Sequence, residues 1–214
     1  MRNFAIRVVL GLAIVAGSIA LARPASAMNR WRDFVKGPNN INIFMGVAGC
    51  CTCDPLVGCM IIPGTRIIAW DNDTSQGKNH NDQLWNQTTG KGVHTTVRDF
   101  MLTTGMVNAC LGISGNATQK LANGTQLEVR TCDGGADQQW EIIPANDPSL
   151  KAPFMIDSIN PCFIFRNVSS GKVMGISNGQ VQNGTPIIQW SLFQGLPNSL
   201  FGWHPDQFWC PSSP

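Results

Sequence analysis

The chain writes one phrase three times, and this constrains its fold more than anything else in the sequence. "GTRIIAW" begins at Gly64, "GTQLEVR" at Gly124 and "GTPIIQW" at Gly184, each sixty residues after the last. Two further markers recur in the same order. Phe34, Phe100 and Phe163 each stand twelve residues before a glycine, Gly46, Gly112 and Gly175, held in "MGV", "LGI" and "MGI". Each copy then closes on "DQLW", "DQQW" or "DQFW", ending at Trp85, Trp140 and Trp209. Self-similarity at a fixed period marks a supersecondary unit that buries its apolar face only against its neighbours.

The spacing between markers says what the unit is made of. From the marker glycine to the Gly-Thr phrase the chain takes 18, 12 and 9 residues, and from the end of the phrase to the closing Trp it takes 15, 10 and 19. Conserved markers separated by variable connections fit strands joined by surface loops. Segments such as "GTPIIQW" and "CFIFRNV" are short, rich in β-branched and aromatic residues, and bounded by turn signals at Asn123, Gly134 and Ser170. No capped apolar period of 3.6 runs through them. The expected fold class is therefore all-β, with about four strands per repeat and about twelve in all, closed into a barrel that removes exposed edges.

The triplicated Gln-x-Trp, at Gln83 to Trp85, Gln138 to Trp140 and Gln207 to Trp209, resembles that of the ricin-type β-trefoil lectins. The resemblance runs from about Phe34 to Cys210. It implies a β-trefoil of three pseudo-symmetric repeats, at about 34–97, 98–160 and 161–210, inside a domain spanning 34–214. It further implies that Trp85, Trp140 and Trp209 pack in a shared core on the pseudo-threefold axis, while each motif Gln holds a loop through backbone hydrogen bonds. Cys110 and Cys132 fall where the family often bridges a repeat, and Cys162 with Cys210 is a second expected pair.

In that family each lobe holds a sugar with three groups: an Asp after the first strand, an aromatic closing the middle strand, and an Asn or Asp beside the motif Gln. Carried over by position, the first repeat offers Trp70, Asp82 and Gln83, and the last offers Trp190, Asp206 and Gln207. The middle repeat keeps Asp137 and Gln138 but has Arg130 where the ring belongs. All three have glycine, at Gly46, Gly112 and Gly175, in place of the first acid. An exposed ring suits the apolar face of a pyranose, and fixed acceptors suit its hydroxyls. The same residues also have plain structural uses: Trp70 and Trp190 as lobe packing, the acids as turn caps. His80, His94 and His204 stand isolated and read as surface residues.

Composition and the N-terminus bear on where such a chain works. Arg2 and Arg7 precede the apolar run "VVLGLAIVAGSIALA", and "ASA" at Ala25 to Ala27 fits signal peptidase, so residues 1–27 are expected to be a removed export signal and 28–33 a short lead-in. The run is short for a bilayer span, and no second one follows it. Without that leader the chain carries twelve basic against thirteen acidic groups and no basic cluster, which argues against nucleic-acid binding. All eight cysteines lie in the exported part and read first as disulfides. Cys50, Cys51, Cys53 and Cys59 also have the crowding of a zinc knuckle, although the adjacent pair is awkward for a tetrahedral site and no His lies near. Six Asn-x-Ser/Thr sequons occur, two of them in the repeated "NGT" turns.

Nothing resembles a nucleophile elbow, a zinc-binding His pair or a phosphate loop, and only Glu128 and Glu141 represent glutamate. The expectation is a secreted, non-catalytic carbohydrate-binding protein of glycans or glycoproteins, extracellular or periplasmic, without cofactor or metal. A weaker resemblance, to the trefoil subunits of cytolethal distending toxins, implies an alternative role as a partner-binding toxin subunit, with the tail "SLFGWHPDQFW" as an aromatic anchor. A third class is a protease inhibitor acting through the Cys50–Cys59 insertion.

Overall fold

The computed structural model describes residues 29–48, 62–71, 83–89, 95–99, 109–145, 147, 150, 162–192 and 204–212. The expected leader, the cysteines 50, 51, 53 and 59, and the residues His80, Asp82 and His94 lie outside them. No helix among the described residues is long and apolar enough to cross a membrane.

Twelve strands run through the described residues, four to a lobe. The first lobe holds β1 (Asn29–Asp33), β2 (Ile43–Val47), β3 (Ile67–Asp71) and β4 (Leu84–Thr89). The second holds β5 (Thr95–Asp99), β6 (Ala109–Ile113), β7 (Leu127–Thr131) and β8 (Gln139–Pro144), and the third β9 (Phe163–Asn167), β10 (Val173–Ile176), β11 (Ile187–Trp190) and β12 (Trp209–Ser212). All pairings are antiparallel. Strands β1, β4, β5, β8, β9 and β12 pair each with the next, and β12 returns to β1, so six strands close a barrel. The remaining strands form three hairpins, β2–β3, β6–β7 and β10–β11. This is the expected β-trefoil.

The Gly-Thr phrases knit the three hairpins into a ring. The N–H of Gly64 donates to the Val129 carbonyl at 2.7 Å, that of Gly124 to Gln189 at 2.9 Å, and that of Gly184 to Ala69 at 2.8 Å. Each lobe thus hands its bond to the next, and the third returns it to the first. All three glycines have positive φ, +91°, +81° and +81°, a conformation L-side chains avoid, which is why Gly recurs there. On the axis the Gln126 side-chain amide reaches the carbonyls of Ile67, Leu127 and Ile187, equivalent residues of the three phrases, at 2.8, 3.2 and 3.0 Å. A single asymmetric residue satisfies a symmetric set of acceptors.

The barrel interior holds the expected tryptophans. Trp85, Trp140 and Trp209 are fully buried in one cluster with Trp31, Met45, Leu111 and Met174. Each indole N–H donates to the carbonyl preceding its lobe's marker glycine: Met45 at 3.0 Å, Leu111 at 3.2 Å and Met174 at 3.3 Å. A buried indole needs such an acceptor, and the fixed offset explains why marker and motif recur together. Two disulfides are present among the described residues, both expected: Cys110–Cys132 within the middle lobe, and Cys162–Cys210, which joins the residue before β9 to β12.

Two readings of the sequence need correction. Residues 29–33, expected as lead-in, are strand β1, in register with β12 from Arg30↔Ser212 to Asp33↔Trp209. Alternation gives the reason: Trp31 and Asp33 point inward and are buried, while Arg30 and Arg32 lie nearer the surface. The third Phe marker is also out of register. Opposite the core tryptophans Trp209, Trp85 and Trp140 stand Asp33, Asp99 and Asn167. The residue following in the third lobe is Val168, whose N–H donates to Gln139 as that of Phe34 donates to Phe208. Phe163 sits five residues earlier, at the start of β9. The third lobe turns tightly at Gly171, with φ +66°, where the first inserts a 3-10 turn at Pro38–Asn40.

Candidate functional site

The motif glutamines act alike in all three lobes. Gln83 Nε2 donates to the Asp71 carbonyl at 2.9 Å, Gln138 Nε2 to Thr131 at 2.8 Å and Gln207 Nε2 to Ser191 at 3.3 Å. Each acceptor directly follows the residue closing the phrase. The bond therefore ties the closing residue of the middle strand to the acid beside the motif, and sets the width of the gap between them.

In the third lobe that gap is open. A pocket of about 290 Å³ is lined by Gly175, Ile176, Asn178, Gly179, Ile188, Trp190, His204, Asp206 and Gln207. The sequence-derived trio Trp190, Asp206 and Gln207 thus meets on one cavity, together with the glycine that replaces the expected acid. A Cβ at Gly175 would stand 3.1 Å from Gln207 Cγ and 3.2 Å from Asp206 Oδ2, so the glycine keeps that wall clear. Trp190 is half-buried, its Cζ3 edge 3.4 Å from where a Cβ on Gly124 of the middle lobe would lie. The ring is thereby packed by one lobe while it lines the pocket of another.

Electrostatically this pocket is acidic. Asp206 is buried, and burial pushes its carboxyl above the ordinary carboxylate range; His204 and backbone N–H donors, including that of Ile176, pull it part of the way back. His204 Nδ1 lies 3.5 Å from Asp206 Oδ1. Among the described residues Gln207 Oε1 is buried with no protein donor, whereas in the middle lobe the matching Gln138 Oε1 accepts from Asp133 N–H at 3.1 Å.

The middle lobe is filled by its own side chains. Arg130 folds across Gly112, where a Cβ would stand 2.6 Å from the arginine Cδ, and its Nη1 donates to the Ile113 carbonyl and to Glu128, both at 3.1 Å. Asp137 receives Lys120 Nζ at 2.7 Å, with Arg130 Nε 3.8 Å away. Glu128 takes the place that Ile188 holds in the third lobe. The sequence-derived residues Asp137 and Gln138 are therefore present but spent on internal partners.

In the first lobe Trp70 is 38% exposed, and its Cζ3 lies 3.8 Å from where a Cβ on Gly184 would be. Gln83 is fully buried, its Oε1 without a donor among the described residues. Asp82, the remaining expected partner, lies outside the described residues.

Reading by residue type missed two groups. His204 reads as an isolated surface histidine, yet it lines the pocket beside Asp206. The signal was available: "His-x-Asp-Gln" occurs at His80 and again at His204, and the middle lobe has Gly135 there. The second is Asp33. Its Oδ1 accepts the Val35 N–H at 2.7 Å while Oδ2 is buried without a partner among the described residues. The equivalent Asn167 places its Oδ1 likewise, on the N–H groups of Ser169 and Ser170, and its Nδ2 donates to the carbonyls of Asp137 and Gln139. By the correspondence of the lobes, the carbonyls at the matching positions are those of Asp206 and Phe208.

Burial, with the Asp206 charge adding to it, holds the Asp33 carboxyl well above its ordinary range against the opposing Val35 N–H and Arg32. A carboxyl whose pKa is raised on folding stabilises the fold fully below its unfolded value of about 4 and loses that contribution as pH rises through its folded value. Asp33→Asn, which carries its N–H donors at every pH, is expected to raise stability at pH 7 by about 1 kcal/mol. It should also flatten the decline in thermal midpoint above pH 4. Parallel melts across pH 4 to 8 check this, and an unchanged or lower midpoint at pH 7 would count against it.

Comparison with known proteins agrees with this geometry. The family model described as a ricin-type beta-trefoil lectin domain-like domain matches residues 81–190, slightly more than half of the chain. No curated protein sequence matches. Among solved structures, a designed three-fold symmetric protein, ThreeFoil, is 14% identical, with a TM-score of 0.56 over 86% of this chain and 98% of its own. A Macrolepiota procera ricin B-like lectin, solved in complex with lactose, is 15% identical, with a TM-score of 0.52 over 89% and 97%. A chain of the Haemophilus ducreyi cytolethal distending toxin is 16% identical, with a TM-score of 0.51 over 86% and 84%. At such identities the structural likeness speaks for fold alone. The match of the family model over half of the sequence, on a closed barrel with three Gln-x-Trp anchors, shows that the chain belongs to the ricin-type beta-trefoil lectin domain-like family.

Proposed function

We propose that this chain is a secreted, non-catalytic carbohydrate-binding protein whose working site is the pocket of the third lobe. One observation carries the reading: Trp190, Asp206 and Gln207 line a single open cavity, while the matching residues of the middle lobe are closed by Arg130, Lys120 and Glu128. A half-buried indole offers an apolar face to a pyranose ring, and the acid and the Gln carbonyl offer acceptors to its hydroxyls. Support for an exported protein comes from the N-terminal pattern and from the two disulfides.

Trp190→Ala is expected to weaken glycan binding at least tenfold, in line with the 1.4 kcal/mol or more that a ring contact of this size contributes. Ile62→Ala, at an exposed site of the first lobe that does not line the cavity, should leave binding as it is. A glycan array followed by titration of the best hit provides the measurement. A folded protein silent across a broad array would sink the reading. A second reading, as a partner-binding toxin subunit, is favoured by the self-filled middle lobe and by the exposed Trp70 and Ile62. Loss of a co-purifying subunit on Trp70→Ser, with array silence, would mark that role instead.

A further inference from the structure

The two lobes that differ in filling share one framework, so the middle lobe shows what that framework accepts. At Asp137, flanked by Gly112 and Gln138, the chain itself supplies a primary ammonium: Lys120 Nζ sits 2.7 Å from Oδ2, with the Arg130 guanidinium beside it. The third lobe repeats the acid, the glycine and the glutamine as Asp206, Gly175 and Gln207. Among the described residues its lining holds no Lys or Arg. The imidazole of His204 lies 3.5 Å from the Asp206 carboxylate, and the Ile176 N–H also donates to that carboxylate. Gln207 is 2% exposed, and its Oε1 is a second acceptor with no protein donor among the described residues.

From this asymmetry we infer that the third-lobe pocket takes an amino sugar with a free, protonated amine, the ammonium seated against Asp206 and Gln207 and the sugar's apolar face on Trp190. The inference rests on the lectin reading and names the class of sugar. An ammonium brings three donors to a site that offers a carboxylate and the Gln207 carbonyl, and sets a full positive charge against a carboxylate that burial makes costly to ionise. The neighbouring indole favours a cation as well. An N-acetylated sugar brings one N–H, no charge and an extra carbonyl, and a neutral sugar brings hydroxyls alone. Neither brings a cation to the buried acid.

The test titrates the full chain with three β-1,4-linked trisaccharides: triglucosamine, its fully N-acetylated form and cellotriose. Triglucosamine is expected to bind at least tenfold tighter than the other two. Asp206→Asn should reduce it to the level of cellotriose, whereas Glu141→Gln, which removes an acid on the outside of β8, should not. Should Asp206→Asn fail to fold, the comparison of the three sugars on the unaltered chain still decides. Equal or tighter binding of the acetylated or neutral trisaccharide overturns this inference and leaves the lectin reading standing. Array binding confined to glycans without amines overturns it likewise. Silence toward every glycan overturns both.

Discussion

Trp140→Ala is expected to cost about 3–5 kcal/mol of folding free energy, near the upper end of what one substitution removes. The side chain is fully buried in the barrel, and its loss opens a cavity that the surrounding β-strands are too constrained to fill. A second effect adds to the first. The indole N–H is the donor to the Leu111 carbonyl at 3.2 Å, so truncation leaves a buried acceptor without that partner. For a domain of this size the midpoint of thermal unfolding should fall by about 10 °C or more. Trp140→Phe refills most of the volume but not the hydrogen bond, and should lie between the two. Denaturant titration gives the ranking, and a loss under 1 kcal/mol for the alanine variant would refute the core role assigned to the motif.

Removing the Cys162–Cys210 bridge by a double serine substitution should cost about 4 kcal/mol if the entropy of the unfolded loop governs, because 48 residues separate the two cysteines. The Cys110–Cys132 bridge, with a separation of 22, should cost about 3 kcal/mol. Position reinforces the larger value. Cys162 and Cys210 close the seam between β9 and β12, which is otherwise held by a single register pair, Trp209↔Phe163. The middle-lobe bridge spans β6 and β7, already joined by five pairs. Urea titrations of the two double-serine variants measure both effects. Equal losses, or a larger loss at Cys110–Cys132, would mean that loop length and seam position do not control this fold.

Much of the architecture was legible because its signals are local and repeated. The positive-φ glycines at 64, 124 and 184 and the closing tryptophans recur since each lobe must solve the same problem at the same place. Register failed where a lobe solved it with fewer residues. The third lobe reaches Gly175 from Val168 through a tight turn, so counting back twelve residues lands on Phe163, a different position on β9. Strand β1 escaped for another reason. "NRWRD" is short and mostly charged, and only its pairing with β12 shows that Trp31 and Asp33 face inward.

The site divides in the same manner. Its residue types were written in the sequence, down to the "His-x-Asp-Gln" at His204, whose second copy at His80 gives the signal. Which lobe stands open was not. The middle lobe is shut by Lys120 and Arg130 reaching Asp137 across 17 and seven residues, and Trp190 is held against Gly124 of another lobe. By itself the sequence determined three equivalent β lobes around a tryptophan core, because that follows from recurring local patterns. Only the tertiary structure decided that one acid is spent on an internal cation while its twin lines an open cavity, because that depends on where long side chains end in space.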